Sequence, residues 1–155
     1  MRAGELCVRD VVTAEPDETV SEAARRMAQH HAGDLVVVEP ASETPACPIG
    51  IVTDRDLVVR VLAHPDRDPA RTRVAEVMHP DPVIAREEDD LETVLARMRA
   101  HTIRRIPVVD DRGRLQGILS IDDLIDWVTE QMLSLTKLLD RQGRPPHLRG
   151  SALLG

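Results

Sequence analysis

The chain contains one unit written twice. VVTAEPDETVSEAARRMAQHHAGDLVVVE, from Val11, lies over PVIAREEDDLETVLARMRAHTIRRIPVVD, from Pro82, at an offset of 71, so that Met27 falls on Met98 and His30 on His101. After a loop, GIVTDRDL from Gly50 lies over GILSIDDL from Gly117 at an offset of 67, because the first copy's loop, Pro40 to Pro48, is longer by four residues. Two copies suit a pseudo-symmetric pair, since a solenoid needs at least about three repeats to bury its stacked faces.

Each copy opens with a short extended stretch, around Val11 to Thr13 or Val83 to Ala85, and then turns helical. In the first, Thr19 to Glu22 fits a capping box, and Val20, Ala23, Ala24 and Met27 recur at helical spacing. In the second, Asp90 caps a helix whose apolar residues are Leu91, Val94, Leu95 and Met98. Two β-branched runs follow in each copy, Leu35 to Val38 then Ile49 to Thr53, and Ile106 to Val109 then Leu115 to Ser120. Their near-continuous apolar character predicts burial on both faces. A last helix starts at Thr53 or Ser120, so each half reads strand, helix, strand, strand, helix. The organisation expected is a first repeat over 1–62, a linker over 63–76 rich in Pro, Asp and Arg, a second repeat over 77–128, a helical extension over 129–141 and a disordered tail over 142–155. The second closing helix outlasts its counterpart, and Ile121, Ile125, Val128, Met132, Leu135 and Leu139 form a heptad-like seam. That seam packs either on its own domain or on a second copy of the chain.

Composition removes several functional classes. With 155 residues and 42% hydrophobic content, the chain is long enough to bury a core without disulfides or metal. It has no Phe, no Tyr and one Trp, Trp127, so it lacks a platform on which single-stranded bases could stack. Twenty Lys and Arg against 27 Asp and Glu leave a net charge of −7, which disfavours binding to duplex phosphates. No apolar run approaches a membrane span and none near Met1 resembles a signal peptide, so a cytoplasmic protein without membrane or nucleic-acid partners is expected. Cys7 and Cys47 form no metal-binding spacing and are expected as reduced thiols.

The pattern with most chemical content is the doubled strand end, GIVTDRD and GILSIDD. In each, a hydroxyl (Thr53, Ser120) sits at a helix N-cap with a carboxylate (Asp56, Asp123) three residues on. The arrangement serves as a helix cap. It also suits a phosphate at free helix amides, with the Asp accepting two vicinal ribose hydroxyls. His30 and His101 sit at matched helix ends, where a helix dipole favours a cationic imidazole, a reading preferred to metal ligation. Asp54 with Asp56, and Asp122 with Asp123, could share a Mg²⁺ through a bound phosphate, but acidic first helical turns explain them. No catalytic dyad, nucleophile elbow or Walker loop is present, and a non-enzyme is expected.

The doubled unit, with VTAEPDETVSEAARRM, HTIRRIPVVD, GIVTDRDL and GILSIDDL, resembles a tandem pair of CBS domains over roughly Leu6 to Val128. The resemblance implies an α+β fold of two β-α-β-β-α units packed by pseudo-two-fold symmetry through their sheets, often dimerised into flat discs, with one cleft per repeat for an adenosine-containing ligand: AMP, ADP, ATP, NAD(H) or S-adenosylmethionine. No obligatory cofactor is implied. The ribose-binding Asp maps to Asp56 and Asp123, and the phosphate-proximal hydroxyl to Thr53 and Ser120. Adenine-lining positions map to Thr13 and Val37 in the first repeat, and to Ile84, Ile106, Pro107 and Val108 in the second. Where the second repeat has Arg105-Ile106-Pro107 the first has Asp34-Leu35-Val36, so positive charge for a phosphate must come from Arg55, Arg104 or Arg105. The function this implies is regulatory: a ligand sensor whose output passes to another chain or through assembly state. The competing reading is a scaffold with vestigial clefts that docks an unidentified protein through its C-terminal helix.

Overall fold

The computed structural model describes residues 1–40 and 46–141. The tail expected over 142–155 lies outside the described residues. In chain order the elements are α1 (Ala3–Leu6), β1 (Thr13–Ala14), α2 (Val20–His30), β2 (Asp34–Val38), β3 (Pro48–Thr53), α3 (Asp54–Leu57), a π-helical turn (Val58–Leu62), a 3₁₀ turn (Val74–Glu76), β4 (His79–Pro80), β5 (Ala85–Arg86), α4 (Leu91–His101), β6 (Arg105–Val109), β7 (Leu115–Ser120) and α5 (Ile121–Arg141). The strand, helix, strand, strand, helix order occurs twice, in a mixed α/β architecture. Two units are distinguished, residues 1–120 with both sheets and residues from Ile121 with the long helix.

Local signals account for the helices. The Thr19 hydroxyl accepts from the Glu22 amide at 3.2 Å, and Glu22 returns the bond to the Thr19 amide at 2.7 Å. Asp90 caps α4 by accepting from the Thr93 amide at 2.7 Å. Both helices end in a left-handed residue, His31 at φ 53° and Thr102 at φ 55°, again 71 apart. Val20, Ala23 and Met27 are buried, as are Val94 and Met98, while Ala24 is exposed because the apolar face of α2 is narrower than its spacing suggested.

The sheets run β1-β2-β3-β4 and β5-β6-β7, with β1 parallel to β2 and β5 parallel to β6. Burial on both faces holds for β2 and β6, whose central residues are all inaccessible. It does not hold for β3 and β7, in which buried and half-buried residues alternate. Those strands carry a core-facing side only, the period-two pattern of a half-covered strand. Leu35, Val37, Val52, Val61, Val74 and Val77 gather with α2's apolar face in the first core. Full burial of each such side chain contributes roughly 1.5–3 kcal/mol.

The repeat extends further upstream than Val11. Residues 2–9 and 73–80 make the same bonds at the same offset of 71, and each set docks on the other half. Val74 and Ala75 donate to the carbonyls of Glu18 and Pro16 at 2.9 and 3.0 Å; Ala3 and Gly4 donate to those of Asp89 and Glu87 at 2.8 and 3.0 Å. His79 then pairs with Ile51 of β3, as Val8 pairs with Ile118 of β7. Each half is thus completed by the segment that precedes the other.

Glycine makes that docking sterically possible. A Cβ on Gly50 would lie 2.6 Å from Met78 Sδ and 3.0 Å from the His79 carbonyl. One on Gly117 would lie 2.5 Å from Cys7 Sγ and 2.9 Å from the Val8 carbonyl. Gly117→Ala and Gly50→Ala are each expected to destabilise the protein by about 1–3 kcal/mol, since the obstructing atoms include backbone. Gly33→Ala, where the nearest atom is 3.6 Å away, should change less. Urea denaturation of the three variants checks the order.

Candidate functional site

Residues Asp34 and Thr53 are register partners at one end of β2 and β3, and Thr53 is also the N-cap of the turn carrying Asp56. The Asp56 carboxylate is almost wholly enclosed, the residue being 7% exposed. Its Oδ2 accepts from the Thr53 amide at 2.9 Å and from the Thr53 hydroxyl at 2.8 Å. Its Oδ1 lies 2.9 Å from His79 Nε2 and 3.4 Å from Arg60 Nε. Three hydrogen bonds thus reach a carboxylate that offers about four lone-pair sites, with the Arg60 guanidinium beside it as an ion-pair partner.

Burial pushes the Asp56 carboxyl up, but the bonds from the Thr53 amide and hydroxyl, with the hydrogen bond and charge of His79, outweigh it and hold the group below the usual Asp range. Asp34 is affected oppositely: burial, with Asp54 nearby, raises its carboxyl despite the neighbouring Arg105. Arg105 Nη1 donates to Asp34 Oδ1 at 2.5 Å. The two residues occupy equivalent positions in the two repeats, 71 apart.

The remaining candidates divide by exposure. The side chains of Val37, Ile106 and Val108 are 0% exposed and belong to the core, and Pro107 is buried beside them. Ile84 is 37% exposed, and its carbonyl accepts from Arg97 at 3.1 Å. Thr13, half-buried, pairs with Val36. Arg55 and Arg104 are exposed. Ser120 ends β7 and Asp123 lies in the first turn of α5, both half-buried. The structure therefore brings Thr53 together with Asp56, and turns Arg105 onto Asp34. Beside that strand end lies a cleft of about 200 Å³, lined by Val11, Val12, His31, Asp34, Val36 and Ile118 among others. It is smaller than the roughly 300–1,000 Å³ pockets that enclose drug-sized ligands.

His79 and Arg60 are site residues that pattern reading did not single out. Arg60 also donates to the Val77 carbonyl at 3.0 Å, so both tie the 77–79 segment to the Asp56 turn. The available signal was a break in the repeat, because the copy of His79 is Val8. Among the described residues no group of three or more His, Cys, Asp or Glu side chains gathers as a metal site. None of their helices is long and apolar enough to cross a membrane. Neither Cys7, which is buried, nor Cys47, which is half-buried, is joined in a disulfide.

A carboxyl held below its ordinary range supports the fold above its unfolded pKa and withdraws that support as pH falls through the folded value. Stability should therefore decline on acidification below about pH 5, and less so in Asp56→Asn. At neutral pH, Thr53→Ala should cost about 0.5–2 kcal/mol as a lost cap. Denaturant melts from pH 7 down to pH 3 test both.

Comparison with known proteins places this geometry. A family model described as the CBS domain matches residues 3–63 and 74–130. The chain is 39% identical over 123 residues to an uncharacterized Methanopyrus kandleri protein, covering 79% of this chain and 60% of that one. It is 39% identical over 114 residues to the CBS domain-containing protein YhcV of Bacillus subtilis, covering 74% and 76%. Against the inosine-5'-monophosphate dehydrogenase of Methanocaldococcus jannaschii it is 36% identical but spans only 23% of that protein's length. Two solved structures share the fold closely. One is the CBS domain protein PAE2072 from Pyrobaculum aerophilum complexed with AMP, with a TM-score of 0.69, 29% identity and coverage of 80% of this chain and 90% of that one. The other is the cytosolic domain of the Mg²⁺ channel MgtE in complex with ATP, with a TM-score of 0.67, 34% identity and coverage of 81% and 48%. With both repeats matched and its sheets built twice to one plan, the chain belongs to the CBS domain family as a tandem pair.

Proposed function

We propose that this chain is a non-catalytic regulatory module that binds an adenosine-containing ligand, one of AMP, ADP, ATP, NAD(H) or S-adenosylmethionine, and passes on occupancy through conformation or assembly. The observation that carries this reading is the repeated hydroxyl and carboxylate at the ends of β3 and β7, Thr53 with Asp56 and Ser120 with Asp123. It occurs in a fold whose similar solved structures hold AMP and ATP. In this reading Asp56 and Asp123 receive ribose hydroxyls, Thr53 and Ser120 lie near phosphate, and Arg55 and Arg104 supply positive charge. The apolar groups accessible to a base are Val11, Val12 and Ile84. In this reading occupancy itself is the signal. A ligand shifts shape only to the extent that it binds two arrangements unequally. The reading also retains a cytoplasmic location, without membrane or nucleic-acid partners.

The engagement of both Asp56 carboxylate oxygens by Thr53 and His79 favours a second reading, in which the clefts are vestigial, Thr53 and Asp56 serve only as a cap, and the chain acts by docking through α5. For assembly we assign the α5 seam to a second copy of this chain. Ile125, Met132, Leu135 and Leu139 are each more than half exposed. After Asp122 in the first turn, the flanking heptad positions Leu124, Thr129, Gln131, Thr136 and Leu138 carry no charge, so two such helices can close over Ile125 to Leu139 without burying an ion.

Calorimetry and thermal shifts with AMP, ADP, ATP, NAD(H) and S-adenosylmethionine decide between sensor and scaffold. A ligand held by the native state at a concentration of 100 Kd should add about 2.7 kcal/mol of apparent stability. Sensing requires that the stabilisation vanish in Asp56→Asn with Asp123→Asn; no shift with any of the five compounds leaves the scaffold. Separately, Leu135→Glu should convert a sedimenting dimer to monomer, and an unchanged sedimentation coefficient excludes the seam.

A further inference from the structure

Both oxygens of the Asp56 carboxylate are already engaged. Oδ2 accepts from the Thr53 amide and hydroxyl, one turn away, as part of the cap. Oδ1 meets His79 at 2.9 Å from outside that cap, with Arg60 as an ion-pair partner at 3.4 Å. Those outer contacts are the exchangeable ones, because releasing them leaves the turn intact. His79 belongs to β4, a strand of two residues seated against Gly50 and Ile51. Arg60 holds the Val77 carbonyl of the same segment. In the crossing to the second repeat the place of His79 is taken by Val8 against Ile118, a side chain that donates no hydrogen bond.

We propose that His79 and a ligand's ribose diol occupy the Asp56 carboxylate alternately, so that filling the first repeat's site releases residues 77–80, the segment that leads into the second repeat. The proposal rests on the nucleotide reading above. It makes the two sites unequal: the first is closed by the protein's own imidazole and opens at the expense of β4. It also supplies the differential contact that a signal requires, a hydrogen bond present in the empty state and absent in the filled one.

AMP titrations of the full chain carrying Asp123→Asn isolate the first site. Adding His79→Val, which copies the second repeat's residue, should tighten AMP binding by about ten-fold, the scale of one hydrogen bond to a charged group. His79→Gln, which keeps a donor, should tighten it less. Hydrogen exchange on the chain with His79 intact provides a readout that needs no change in β4. AMP should speed exchange of the His79 amide, the one amide hydrogen that β4 carries, and of the Asp81 amide, which donates to the Ile49 carbonyl at 3.1 Å. Equal AMP affinity with and without His79, or unchanged protection across 77–81, overturns the exchange while leaving the nucleotide reading intact. Absence of AMP binding to every variant overturns the exchange together with the assignment of AMP to this site.

Discussion

The close approach of backbone to backbone at Gly50 and Gly117 is the constraint on which the two-repeat architecture depends. Each glycine admits a segment that belongs, along the chain, to the other half. In the first half it supplies β4 to the sheet and Val74 and Val77 to the core; in the second it forms the Val8–Ile118 bridge and buries Ala3 and Cys7. A single repeat would expose an unpaired strand edge beside a half-covered core, so the halves are interdependent.

The same crossing sets the chemistry of the site. Because residues 73–80 finish the first half, His79 arrives beside Asp56, 23 residues earlier in the chain, and the first-repeat carboxylate acquires an internal partner. The equivalent crossing brings Val8 against β7. An arrangement symmetric in backbone therefore differs in side chains: one carboxylate is addressed by an imidazole and a guanidinium, whereas the segment crossing to the other repeat presents an aliphatic side chain at the matching position.

A second asymmetry follows the same rule. Asp34 and Arg105 stand at equivalent positions, and the two repeats face each other closely enough for the pair to meet at 2.5 Å. Had both positions carried Asp, or both Arg, like charges would oppose each other at hydrogen-bonding distance. Divergence to opposite charges turns a symmetric repulsion into an ion pair. Exposed pairs contribute little, but Asp34 is largely buried, so Arg105 offsets part of the desolvation that raises its carboxyl.

The repeat, the capped helices, the order of elements and the hydroxyl and carboxylate at each strand end were all legible in sequence, because they rest on local spacing: helical periodicity, capping chemistry and β-branched runs. The family was legible for the same reason, since its motifs lie within single elements. The partners of those motifs were not. That the 2–9 segment is the copy of 73–80 is masked by substitution, with Cys7 standing for Met78 and Val8 for His79, and its meaning depends on which sheet it joins. Burial of Val37, Ile106 and Val108, the pairing of Arg105 with Asp34, and the contact of His79 with Asp56 all involve residues far apart along the chain. Sequence determined which local structures this protein forms and which residue types they display. Only the tertiary structure decided which side chains meet, because a hydrogen bond or ion pair depends on distance in space, and the crossing of the two halves sets those distances.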